Sequence, residues 1–193
     1  MHSVAATRQA IREPNLRDEA LLILEKRGNI LDIAREVSKL MRDARVPGVV
    51  IGGVAVVLHG HVRTTKDVDI FTTSKLESLA DLLTANGFVF KKAERAFVKK
   101  GVPIHLVLPD QVGPYPKKTI EIDGIVTMPL ADLIEMKLRS GSANMLRAQD
   151  LADVIGLIRH HQLTNDFAKH IEKSLRPAFR KVARMIEREN KKR

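Results

Sequence analysis

The 193-residue chain has no cysteine, no tryptophan, a single tyrosine and only 4% aromatic residues. Without thiols, neither a disulfide framework nor a thiolate zinc site can form, and the seven histidines show no regular ligand spacing. The scarcity of aromatic rings argues against a single-strand binder built on base stacking. No window approaches the roughly 20 apolar residues of a membrane-spanning helix. The N-terminal MHSVAATRQAIREPNLRDEA also lacks the continuous apolar stretch of a signal peptide. A cytoplasmic protein without membrane contact is expected.

What is present is ordinary in apolar content, 44%, and unusual in charge, +10. The first is enough for one sizeable core with an appendage. The second points to a polyanionic partner, RNA, DNA or a triphosphate, because a cationic surface attracts phosphates at long range. Between Asp166 and Arg193 there are ten Lys or Arg against four Asp or Glu, so most of the excess is C-terminal.

Hydrophobic periodicity organises the chain. Residues 1–28 read as an N-terminal arm or short docking helix, with helical spacing from Ala20 to Glu25. A second helix runs from Ile30 to Met41, and Val49–Ile51 is short, β-branched and wholly apolar, as a strand buried on both faces should be. Gly52 and Gly53 end that strand, a short helix from Val54 to His59 is closed by Gly60, and DVDIFT forms the next strand. A helix in KLESLADLLTAN, strands in FVFKK, AFVKK and VPIHLVL, and a hairpin turning at Asp123-Gly124 follow. Everything after Pro129 reads as helix, interrupted or restarted around Pro177, since proline lacks the donor that a helix interior needs. The predicted fold is α/β (α+β): a small mixed sheet flanked by helices over residues 29–128, with a helical C-terminal subdomain over 129–193.

Side chains two apart on a strand point the same way, so Asp67 and Asp69 present both carboxylates on one face. A divalent cation between them makes their repulsion tolerable, and Mg2+ (or Mn2+) suits carboxylates supplemented by water and phosphates. Residues without side chains at the start of a helix let a phosphate approach free backbone N–H groups, the role assigned to Gly52 and Gly53. Neither motif is specific alone. Their order, strand, glycine pair, helix and then acids, places cradle and metal ligands at neighbouring strand ends.

The segment VVIGGVAVVLHGHVRTTKDVDIFTT resembles the nucleotidyltransferase superfamily related to DNA polymerase beta, in particular its small toxin-like members of abortive-infection type. In PLADLIEMKLRSGSANMLRAQDLADVIGLI the resemblance continues, with Lys137, Arg147, Asp150 and Asp153 at the places of that family's Lys and Arg-x-x-Asp-x-x-Asp pattern. It implies a nucleotidyltransferase fold and transfer of a nucleoside monophosphate from an NTP to a hydroxyl of RNA, protein or a small molecule. The partners it brings into view are an NTP, RNA such as tRNA, and an antitoxin protein. Gly52, Gly53, Arg63, Lys66, Lys137 and Asp150 become the substrate-binding candidates, and Asp67 and Asp69 the metal ligands.

The pattern departs at the third carboxylate, expected in VPIHLVL, where His105 stands instead. Histidine can act as a base or ligand but brings no negative charge. Three accounts stay open: a one-metal enzyme using His105, an enzyme recruiting Asp110, Glu121 or Asp123, and a catalytically degenerate module that binds nucleotide or nucleic acid. Plainer readings stand beside several residues. Asp123 suits its turn, Lys137 and Asp150 could bridge two helices, and His59 and His61 flank a helix end. The arginines of AFRKVARMIEREN could be the solvated side of an amphipathic helix or a face for RNA.

Overall fold

The computed structural model describes residues 29–73, 75–143 and 145–191. The expected N-terminal arm lies outside the described residues. Helix α1 (Asn29–Asp43) buries Ile30, Ile33, Ala34, Val37 and Met41, the three- and four-residue spacing that makes one apolar stripe. Strand β1 (Val49–Ile51) is buried on both faces, and helix α2 (Gly52–Leu58) leaves it without an intervening loop. Then come β2 (Val68–Phe71), α3 (Leu76–Ala85), β3 (Val89–Lys91), β4 (Ala96–Lys99) and β5 (Val102–Val107). A four-residue helix α4 (Pro109–Val112) occupies the stretch that the sequence suggested was loop around Asp110. The hairpin β6 (Ile120–Ile122) and β7 (Ile125–Thr127) turns at Asp123 and Gly124 with φ of 51° and 78°, the paired positive values that an Asp-Gly turn accommodates.

The seven strands form one mixed sheet in the order β3-β4-β5-β2-β1-β7-β6. Strand β2 is antiparallel to β1 and parallel to β5, with Ile51 opposite Asp69 and Asp69 opposite His105. Alternation along these strands sorts the side chains. Val50, Val68, Ile70 and Ile104 belong to a core shared with α1 and α3, whereas Val49, Ile51 and Phe71 belong to a second core. That second core is built with the C-terminal helices α5 (Leu130–Ala143), α6 (Ala148–His160) and α7 (Arg176–Asn190). Short 3-10 turns at Met145–Arg147 and Asn165–His170 precede α6 and α7, and Pro177 sits in the first turn of α7, where its missing N–H costs nothing. The helical third of the chain therefore covers one face of the sheet. By the same alternation, that is the face to which Asp69 and His105 belong. Among the described residues, no helix is long and apolar enough to cross a membrane.

The far end of α2 is fastened by histidines. His59 is buried with Nε2 2.9 Å from the Met128 carbonyl, and His161 Nε2 lies 2.8 Å from the His59 carbonyl. A carbonyl only accepts, so both rings carry their proton on Nε2 and donate. The ring of His61 lies where a side chain on Gly156 would stand, and that of His160 lies over Gly60. Burial, reinforced by the nearby His161 charge and only partly opposed by the Met128 hydrogen bond, holds the His59 pKa below its ordinary value of 6.5. The unfolded chain then binds a proton that the folded one refuses, so stability falls as pH drops below about 6.5 toward the folded pKa. Melting curves between pH 7.5 and 5 are expected to show this fall in the wild type and a smaller one in His59→Gln, whose amide can still donate to Met128. Equal slopes would remove His59 from the account.

Candidate active site

Asp69 lies inside β2, and Asp67 immediately precedes the strand rather than sitting within it. Parallel pairing of Asp69 with His105 carries the histidine to the same side, where its Nε2 stands 3.8 Å from Asp67 Oδ2. The sequence left its direction open, and the structure turns it toward the acids. Thr65, which the motif reading passed over, places its hydroxyl 3.2 Å from Asp67 Oδ1 and so helps to orient that carboxylate.

Two carboxylates this near one another on a partly covered face are electrostatically costly. Burial, together with the Asp67 charge, holds the Asp69 pKa above its usual range, against the opposing influence of His105, Lys137 and Arg63. The donor set fits a hard cation carried with a substrate, because Mg2+ takes one or two carboxylates and completes its shell with water and phosphate. A cage made of protein alone does not exist here: among the described residues, no three metal-ligating side chains converge. Asp110, Glu121 and Asp123 do not supply the missing acid. Asp110 is exposed and does not line the cleft, Glu121 pairs with Arg42 at 2.7 Å, and Asp123 makes the hairpin turn.

The glycine pair has a packing role that the sequence did not reveal. Gly52 has φ +65°, and a Cβ on it would run into Asp69 Oδ2; a Cβ on Gly53 would meet Thr65 and the Arg63 guanidinium. The missing side chains let the connection into β2 lie directly against α2. Gly52→Ala combines backbone strain with a clash against a carboxylate held on the neighbouring strand. It is expected to cost about 2–3 kcal/mol, or roughly 4–12 °C in melting temperature. Thermal denaturation checks it, and an unchanged melting temperature would contradict the close approach.

A cleft of about 290 Å3 opens between this strand end and the C-terminal helices, lined by Gly52, Asp69, Gln111, Lys137, Arg147 and Asp150 among others. Lys137, from α5, is buried, with Nζ 2.6 Å from Asp150 and 2.9 Å from Asp153. Asp153 is 0% exposed and also faces Arg63 Nε at 3.0 Å and the Gln149 amide at 3.0 Å. Arg63 Nε and Asp153 Oδ2 meet their partners at ion-pair distance without hydrogen-bond alignment. Burial raises the Asp150 pKa, but hydrogen bonds from Lys137 and Ser140, with the Lys137 and Arg147 charges, outweigh it and hold the group below the usual range. The helix-to-helix bridge and the site reading of Lys137 are thus the same arrangement.

Of the residues singled out in the sequence, Gly52, Asp69, Lys137 and Asp150 line one cleft. Asp67 and His105 adjoin Asp69, and Arg63 joins through Asp153. Gly53 backs onto Thr65 and Arg63, and Lys66 is exposed in the connection. Ser140 and Gln111 carried no local signal, since both sit on otherwise unexceptional helical stretches; Arg147 and Asp153 were visible only through the resemblance.

The family described as "Nucleotidyltransferase of unknown function (DUF6036)" matches residues 28–176, more than half of the chain. No curated protein matches the sequence. Among solved structures, the chain is similar to an antigenic nucleotidyltransferase-like protein from Paracoccidioides brasiliensis, at 15% identity and a TM-score of 0.49 over 66% of this chain and 74% of that one. It is also similar to JHP933 from Helicobacter pylori, at 22% identity and a TM-score of 0.44 over 74% of each chain.

Proposed function

We propose, since this chain belongs to that family of nucleotidyltransferases, that it moves a nucleoside monophosphate from an NTP to a hydroxyl of RNA, protein or a small molecule. One observation carries the reading: Asp67, Asp69 and His105 come together at the mouth of a cleft whose other wall supplies Lys137 and Arg147. Paired acids next to cations are what a metal-bound triphosphate requires.

Asp67 and Asp69 would hold Mg2+ or Mn2+, which supplies charge neutralisation of the triphosphate and polarises the reacting phosphoryl group. Lys137 and Arg147 would attract the phosphates, and Gly52, having no side chain, lets the Asp69 carboxylate lie against the start of α2. The acceptor oxygen would form a bond to the α-phosphorus as the α–β bridging bond breaks and pyrophosphate leaves. His105 would take the hydroxyl proton, and Asp67, 3.8 Å from its Nε2, would stabilise the resulting cation.

A second reading, a catalytically degenerate nucleotide- or nucleic-acid-binding module, is favoured by one specific observation. No third carboxylate lines the cleft beside Asp69 among the described residues, apart from Asp150, which Lys137 and Ser140 already engage. Incubation with each labelled NTP, Mg2+ or Mn2+, and total tRNA or cell lysate separates the two. Transfer that disappears with Asp67→Asn and Asp69→Asn supports the enzyme; reproducible NTP binding with no transfer under either metal overturns it.

A further inference from the structure

Several cations on this surface are paired with a neighbouring carboxylate. Arg35 pairs with Asp32 at 3.0 Å, Arg42 with Glu121 at 2.7 Å, Arg139 with Glu172 at 2.5 Å and Arg159 with Glu189 at 2.6 Å. Helix α7 carries a row of cations that are not. Its Arg180, Lys181, Arg184 and Arg188 are exposed, and none of them forms an ion pair with a described residue.

Their arrangement follows from helix geometry. At 3.6 residues per turn the four fall within about 100° of arc, and Arg180, Arg184 and Arg188 follow one another at about 6 Å along the axis. The opposite side is occupied: Phe179, Ala183 and Ile186 are buried in the core shared with α5 and α6. The apolar face is thus already committed, which removes the means by which an amphipathic helix lies on a membrane. Met185, 60% exposed, is the one large apolar side chain on that side, so the patch lacks the apolar centre of a protein interface. Of the two carboxylates on the helix, Glu187 is half-buried at the edge of the cationic arc and Glu189 pairs with Arg159.

We propose that the solvent face of α7 binds the phosphodiester backbone of a nucleic acid. Three of the four cations are arginines, whose planar donors grip phosphate in pairs rather than as point charges. Regular spacing suits a repeating anion, and the near absence of aromatic rings makes the contact one of backbone rather than bases. Because α7 packs on α5 and α6, the helices that bring Lys137 and Asp150 to the cleft, a strand held there is anchored to the same helical unit. The binding stands independently of nucleotide transfer.

Fluorescence anisotropy with a labelled single-stranded RNA of about 20 nucleotides, without NTP, tests it over a salt series. The variant Arg180→Gln/Arg184→Gln/Arg188→Gln should bind at least about tenfold more weakly and flatten the slope of log K against log salt by about two. A charge-matched control, Lys92→Gln/Arg95→Gln/Lys100→Gln on the turns flanking β4, should change affinity by less than about threefold. Circular dichroism establishes that both remain folded. Equal loss in the control, or none in the α7 variant, overturns the proposal. Duplex RNA and duplex DNA of the same length serve as further arms; the α7 variant should weaken binding to each, because the contact is to the backbone they share, and a loss confined to one form overturns it. Polyglutamate bound as tightly as RNA would assign the face to acidic protein instead. The assay contains no NTP, so failure here is distinguishable from failure of the transferase reading.

Discussion

Asp69→Asn is expected to lose nucleotide transfer by at least about a thousandfold while raising, not lowering, the melting temperature. The two effects have one source. Asp69 is held as a carboxylate beside Asp67 on a partly covered strand end, and its pKa is raised by burial and by that neighbour. Asparagine removes the desolvated charge and the repulsion but keeps the shape, so the folded state gains about 1 kcal/mol, or roughly 2–4 °C. Magnesium should do in the wild type what the mutation does permanently. A cation that binds only the folded state stabilises it by mass action, and the increment should vanish in Asp69→Asn. The linkage has a definite sign: a carboxyl with a raised folded pKa costs stability once pH rises above the unfolded value of about 4, because only the unfolded chain ionises freely. The melting-temperature gain from Asp69→Asn should therefore shrink as pH is lowered toward 4. A destabilised Asp69→Asn protein would mean that the carboxylate is structural, and transfer retained at wild-type rate would move the reaction elsewhere.

Lys137→Met should be the most damaging single change to stability. Its ammonium stands between Asp150 and Asp153, and Asp153 is wholly buried. Methionine fills the space of the stem but leaves Asp153 facing only Arg63 and Gln149, and Asp150 keeps the Ser140 hydroxyl and, at 3.6 Å, Arg147. Breaking a buried pair on one side costs about 3–5 kcal/mol, against at most about 1 kcal/mol for an exposed bridge such as Arg159–Glu189. The expected fall is roughly 6–20 °C. Pairing Lys137→Met with Asp153→Asn should recover a substantial part of it, because the second change removes the charge that the first orphaned. The cycle also separates two meanings of lost activity. If Lys137 reaches the triphosphate, the rescued double variant is folded and still fails to transfer; if Lys137 only positions α6, rescue of stability restores transfer. A Lys137→Met protein melting within about 2 °C of the wild type would contradict the buried network.

The local features of the site were readable because they are short-range. The apolar run before Gly52-Gly53 and the Asp-Gly turn each need only neighbouring residues, and the structure has both, whereas strand alternation covers Asp69 alone, because Asp67 lies just before β2. The position of His105 was anticipated through the family resemblance, which expects a third acid in that strand. Its direction was not, because a slip of one residue in the parallel register would have turned it into the other core.

The sequence by itself determined the order of elements, the placement of two acids after a glycine-opened helix, and the cationic C-terminal end, because periodicity, turn chemistry and charge act within a few residues. Tertiary structure decided which acids gather. It took Glu121 away to Arg42 and turned His105 toward Asp67. It also closed Arg63, Lys137, Asp150 and Asp153 into one buried network across 90 residues of chain. Such choices depend on which faces of the sheet and helices meet, and on the cost of burying a charge without a partner. Neither quantity is a property of any local stretch of residues.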